Sequence, residues 1–284
     1  MFNFKNNIKK GGIKKVSVQQ TVIDVMKLSV TTFFNSVDEA VDLLTFSLDE
    51  NANIISVVEN VSNLLAGVAL TVISFLFLID LIQNVLMKME DLRYEDIVKV
   101  LMKMLFAKMF SSYMSLLILG IYGKITSIIT QVSTVISLSD IQKGIIAKIS
   151  GNVPSGFIQA AIFLICNIFP MILLVLCGII VKVMAYARMF EFFVLVAISP
   201  IASSFLPYKG TADITKRFIL GVVSVLLQGL VMLISIQIYG KIMTGFDYNV
   251  GIFELLIKTS TMSCVLLMAI TSSGKWAKQV VGLN

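Results

Sequence analysis

Three long stretches of this chain contain no Asp, Glu, Lys or Arg: residues 60–79, 149–181 and 218–240. A helix needs about 20 consecutive apolar residues to cross a hydrocarbon layer about 30 Å thick. Three such runs in 284 residues exceed what one soluble helical core can bury. Only 14% of the residues are charged and 57% are hydrophobic. Soluble domains carry about 25% charged residues, so there is too little polar side chain here to clothe a water-facing surface. The runs therefore predict an all-α, polytopic transmembrane helical bundle.

Charges and prolines between the runs set the expected boundaries. Spans are predicted at about 60–82, 105–123, 157–181, 186–205, 218–240 and 255–274, giving five or six crossings within a transmembrane domain of residues 60–284. A charged elbow from Lys88 to Lys103 separates the first two, with helix expected through 86–108. Residues 125–139 read as helical, and Ser150 to Gly156 as a break. Pro170 should kink its helix, and Ile198-Ser199-Pro200-Ile201-Ala202 should interrupt the next, because proline lacks a donor and crowds the preceding turn. Carbonyls freed at Pro200 need Ser199, Ser203, water or other protein groups as partners.

Residues 1–59 differ. Five lysines between Lys5 and Lys15 form a basic tail, with no apolar segment close behind to make a cleavable signal peptide. Then Ile23, Met26, Val30, Phe33, Val37, Val41, Leu44 and Leu48 recur every three or four residues, a one-sided amphipathic helix. Asp38, Glu39 and Asp42 prevent it from spanning. It is expected to lie on the membrane surface, to pack on a partner, or to fold back on its own bundle. The net charge of +6 suits lipid headgroups and cytoplasmic loops. It does not suit nucleic-acid binding, since no basic stripe with interleaved aromatics accompanies it.

No catalytic or metal site is expected. The chain has no His, which removes the commonest general base and metal ligand. The only ionisable groups at depth are Arg188, Glu191, Glu254 and Lys258, and no cofactor motif is present. Cys166, Cys177 and Cys264 lie in apolar runs and read as small buried hydrophobes. Cys166 and Cys177 are eleven residues apart, about 16 Å along a helix, too far for a disulfide.

Polar residues at depth are the candidate functional positions. Arg188 and Glu191 sit one helical turn apart and can pair. Gly221, Ser224, Gln228, Ser235 and Tyr239 fall on an arc of about 60° at 3.6 residues per turn. Such a stripe suits close packing with interhelical hydrogen bonds, or a conduit wall. With Pro200, these make Arg188, Glu191, Pro200, Gly221, Ser224, Gln228 and Ser235 the residues expected to face partners or a translocation path.

From about residue 155 to 275 the order of features is a kinked span, Tyr186-Ala187-Arg188-Met189-Phe190, an apolar run ending in Ile198-Ser199-Pro200-Ile201-Ala202, a short polar connection, and a Gly-containing span from Phe218. This resembles the TrbL/VirB6-like inner-membrane channel subunits of conjugative type IV secretion systems, in their compact Gram-positive form. The resemblance implies a non-enzymatic, multi-pass subunit of the cytoplasmic membrane, oligomeric and in contact with lipid. It would assemble with other secretion-channel subunits and secretion ATPases, with DNA or relaxase passing transiently and no small-molecule substrate or cofactor. Members are often described with five spans, against the six drawn here. A small-solute transporter would instead show paired repeats with matching broken helices, and no repeat is present. A self-assembling pore-forming protein would act alone.

Overall fold

A computed structural model describes residues 18–46, 52–84, 94–133, 138–154, 156–208, 210–246 and 250–283. The lysines of the N-terminal tail, Leu48, and Lys88 to Arg93 of the elbow lie outside these residues. Seven helices and no strand are present among the described residues: α1 Val18–Leu44, α2 Ala52–Asn84, α3 Tyr94–Ser133, α4 Leu138–Asn152, α5 Phe157–Ser203, α6 Ala212–Thr244 and α7 Ile252–Val281. Five segments are long and apolar enough to cross a membrane: Asn53–Gln83, Ile97–Gln131, Ile158–Ser203, Ala212–Thr244 and Ile252–Val281. Many large apolar side chains point outward on them, among them Leu64, Phe75, Ile158, Phe169, Phe190 and Met268. In water that surface would drive aggregation; in lipid it needs no cover.

The count is five because the segments expected at 157–181 and 186–205 are one helix. α5 runs unbroken for 47 residues, about 70 Å at 1.5 Å per residue. Lys182, the one charge between the two stretches, does not force a loop, since it pairs with Glu39 of α1; Arg188 and Glu191, inside the second stretch, pair with each other one turn apart. The interruption expected at Pro200 is likewise absent. The helix continues to Ser203, and a hydroxyl occupies the carbonyl that the proline leaves free. Ser199 Oγ donates to Val196 O at 2.8 Å, while Pro200 O accepts from Ser203 Oγ at 3.0 Å and from Ser111 Oγ of α3 at 2.8 Å. Pro170 O similarly accepts Ser260 Oγ of α7 at 2.8 Å. The Ser199 hydroxyl thus replaces the i→i−4 bond that Pro200 cannot donate to Val196 O, while Ser111 and Ser260 tie the two prolines' own carbonyls to α3 and α7.

Of the three places open to the amphipathic helix, the structure puts α1 on its own bundle. No Gly or Pro interrupts residues 18–44, and the expected face is the buried one: Met26, Val30, Phe33 and Val37 are fully covered. α1 runs beside α5 in the same direction. Gln19 Nε2 donates to Val153 O just before α5, Phe33 meets Gly178, Glu39 meets Lys182, and Phe46 packs edge-on against Phe193. At the Phe33 crossing a Cβ on Gly178 would lie 2.9 Å from Phe33 Cα, so only glycine lets the two backbones approach so closely.

α5 and α6 are shared by two apolar cores. One gathers α1, α4, α7, the first part of α5 and the second part of α6 around Phe33, Phe34, Leu174, Met232 and Leu255. The other joins α2 and α3 to the rest of α5 and α6 around Met114, Ile118, Phe192, Val196 and Val222. Asp80 of α2 and Lys103 of α3 pair at 2.8 Å. Tyr208, between α5 and α6, reaches Ile73 O of α2 at 3.3 Å. Among the cysteines, Cys177 is buried and Cys264 is partly so, but Cys166 is exposed, contrary to the reading of all three as buried. Its apolar surroundings in the sequence reflect an outward, lipid-compatible face rather than a core.

Candidate functional site

The polar residues expected at depth converge on a cleft between α5, α6 and α7. α5 contributes Met184, Ala187, Arg188, Glu191 and Leu195, spaced by three and four along one face. α6 supplies Gly221, Ser224, Val225 and Gln228, and α7 supplies Thr271, Gly274, Lys275 and Lys278. The open cleft has a volume of about 450 Å³, in the range of small-ligand pockets. At its rim Gly282 takes a left-handed conformation (φ 76°). That turn bonds Leu283 N to Lys278 O at 2.9 Å and folds Leu283 back over the lining.

Arg188 is the electrostatic centre. It is 9% exposed, and its Nη1 donates to Glu191 Oε2 at 2.5 Å. Its Nε is buried without a hydrogen-bond partner. Glu191 remains half exposed at its side chain. Lys275 and Lys278 stand opposite, exposed, and no carboxylate pairs with either among the described residues. Among the described residues the cleft thus holds three cations against one carboxylate. Gln228 and Ser224 are buried on the facing wall. Gln228 keeps its place because Gly274 has no side chain: a Cβ there would fall 2.9 Å from Gln228 Oε1.

Five of the seven expected residues therefore meet here: Arg188, Glu191, Gly221, Ser224 and Gln228. The other two stand elsewhere. Pro200 is buried at the α3–α5 joint, under Ser111. Ser235 returns its hydroxyl to Val231 O within its own helix. Tyr239, at the far end of the same stripe, packs edge-on to Phe33 with ring centres 6.0 Å apart. The stripe thus lines the cleft at one end and packs against α1 at the other. Sequence reasoning missed the α7 wall. Thr271, Gly274, Lys275 and Lys278 share one helical face, but the lysines begin where the sixth span was drawn to end at 274. The other ionisable pair considered at depth, Glu254 and Lys258, bonds within α7 at 2.6 Å and lies outside the cleft. No cluster that would hold a metal ion is found among the described residues.

Comparison with known proteins gives one match. Residues 45–200 fit the family model described as TrbL/VirB6 plasmid conjugal transfer like protein. No curated protein and no solved structure matches the chain. The matched segment runs from the end of α1 through α2, α3 and α4 to Pro200, and it includes Arg188 and Glu191. It begins well before the region in which the sequence resemblance lay and ends inside it. Five membrane-capable helices and a family match over more than half its length make this chain a multi-pass membrane member of the TrbL/VirB6-like conjugal transfer family, a component of a multi-subunit transfer complex.

Proposed function

We propose that the chain is a structural and channel-forming subunit of a conjugative type IV secretion apparatus, seated in the cytoplasmic membrane. In this reading residues 1–59 supply a basic tail and the helix that braces the bundle, and residues 60–284 supply the transmembrane part. Its partners are other channel subunits and the secretion ATPases, and its cargo is DNA with its attached relaxase. Arg188, Glu191, Gly221, Ser224 and Gln228 face a neighbouring subunit or the path itself, with Pro200 and Ser235 bracing the helices that carry them.

One observation carries the reading: a cation-rich cleft opens between three membrane-capable helices in a chain of a conjugal transfer family. Charges on membrane-capable helices are costly where lipid tails cover them and are kept where they face protein, water or headgroups. The chemistry is that of a joint or a wall, since no positioned base or nucleophile accompanies the cations. Arg188→Ala and Glu191→Ala are each expected to lower the frequency of conjugal transfer while the protein stays in the membrane fraction at its normal level. Unchanged transfer in both variants overturns the reading. Pull-down of the tagged chain is expected to recover a secretion ATPase and the coupling protein.

A further inference from the structure

We propose that the α5–α6–α7 cleft is a binding site for an anionic phospholipid, whose phosphate sits among Arg188, Lys275 and Lys278. Arg188 is nine-tenths buried, and its Nε–H has no acceptor. A buried donor left unpaired is destabilising, and a guanidinium is suited to gripping an oxyanion with two parallel bonds. Glu191 occupies one edge of that guanidinium and leaves the cleft with two uncompensated cations. The lysines alone have a simpler account, because cations near a helix C-terminus offset its dipole, and Lys278 lies in the last turn of α7. That account does not reach Arg188, which lies fifteen residues before the end of α5.

Three features point to a lipid rather than a free anion or a nucleic-acid strand. Trp276, the only tryptophan in the chain, is exposed beside Lys275, and tryptophan favours the level of lipid headgroups. One turn from Met184 and Thr271, on the same helical faces, Ile180 and Met268 are 40% and 68% exposed. They offer exposed apolar surface along which acyl chains can lie. Among the described residues no aromatic side chain lines the cleft, and stacking platforms are what proteins use to hold single strands.

The test uses the full chain in nanodiscs of phosphatidylcholine, alone or mixed with phosphatidylglycerol, followed by mild detergent extraction and mass spectrometry of the retained lipid. Phosphatidylglycerol is expected to be enriched over its bulk share. A Lys275→Gln/Lys278→Gln double variant, altered only at exposed positions, is expected to lose about fivefold of that enrichment per cation removed. Lys216→Gln/Lys241→Gln, with the same loss of charge elsewhere, is expected to keep it. Arg188→Gln is expected to abolish it, and Arg188→Lys to restore part. Absence of enrichment in the wild type, or equal loss in both lysine doubles, overturns the proposal. So does displacement of the lipid by inorganic phosphate or by a single-stranded oligonucleotide. The inference rests on the membrane reading and not on the channel reading. Lipid loss with normal transfer leaves this site standing without a transport role, while defective transfer with normal lipid retention separates the two in the other direction.

Discussion

The Gly178–Phe33 crossing gives the sharpest test of the architecture. A Cβ at residue 178 would come within 2.9 Å of Phe33 Cα, 3.1 Å of its ring and 3.3 Å of its carbonyl oxygen. Two of those atoms are backbone, so no rotamer change relieves the clash, and Gly178→Ala must push α1 off α5. Overpacking of this kind costs about 1–3 kcal/mol, while alanine in a helix gains up to about 1 kcal/mol over glycine. Gly67→Ala isolates the second effect, because a Cβ there meets nothing within 4 Å. The difference between the two variants is then the steric cost alone, about 1–3 kcal/mol, or about 2–12 °C in unfolding midpoint at 2–4 °C per kcal/mol. Thermal unfolding of both variants in the same detergent, followed by the fluorescence of Trp276, reads it directly. Equal midpoints for Gly178→Ala and Gly67→Ala would refute the reasoning, since α1 and α5 would then not touch at this point.

Other outcomes follow from the same geometry. Burial, with Asp42 nearby, raises the carboxyl of Asp38 above its ordinary value. A raised carboxyl contributes stability when protonated and loses it as pH rises through its folded value. Asp38→Asn should therefore raise the unfolding midpoint at neutral pH, and that gain should shrink as the pH falls towards 4, the ordinary carboxyl range. Cys177 Sγ and Cys264 Sγ lie 3.7 Å apart, so a membrane-permeant thiol oxidant should link α5 to α7. After cleavage in the α5–α6 connection, the two fragments should stay joined until reduced, and Cys177→Ser should separate them. Gly274→Ala should displace the Gln228 amide and lower transfer, whereas Gly120→Ala, with open space around its Cβ, should not.

Much of this was legible in the residues because lipid is a strict solvent. Runs free of charge located three of the membrane-capable helices, α2, α5 and α6, and the three-and-four spacing of Met26, Val30, Phe33 and Val37 located the buried face of α1. The spacing of Gly221, Ser224 and Gln228 similarly found one wall of the cleft. What failed did so for identifiable reasons. The stretch around Lys182 read as a gap between two spans because its partner could not be seen: Glu39 lies more than a hundred residues away. Pro200 looked like a break because the hydroxyl that helps support it, Ser111, belongs to another helix. The lysines of α7 were overlooked because a hydropathy boundary set at residue 274 cut their helical stripe in two. Local patterns report which face is apolar; they do not report which distant group makes a charge tolerable.

The unbroken length of α5 has a mechanical consequence. A rod of about 70 Å is more than twice the thickness of a hydrocarbon layer, so held upright it leaves about 40 Å standing clear of the lipid tails. Its first part is packed into one apolar core and its last part into the other, and the helix is continuous between them. Tipping the rod by 10° about one end swings the other through about 12 Å. Displacement imposed on α1 and α7 would thereby reach α2 and α3 as leverage, without any side chain having to relay it.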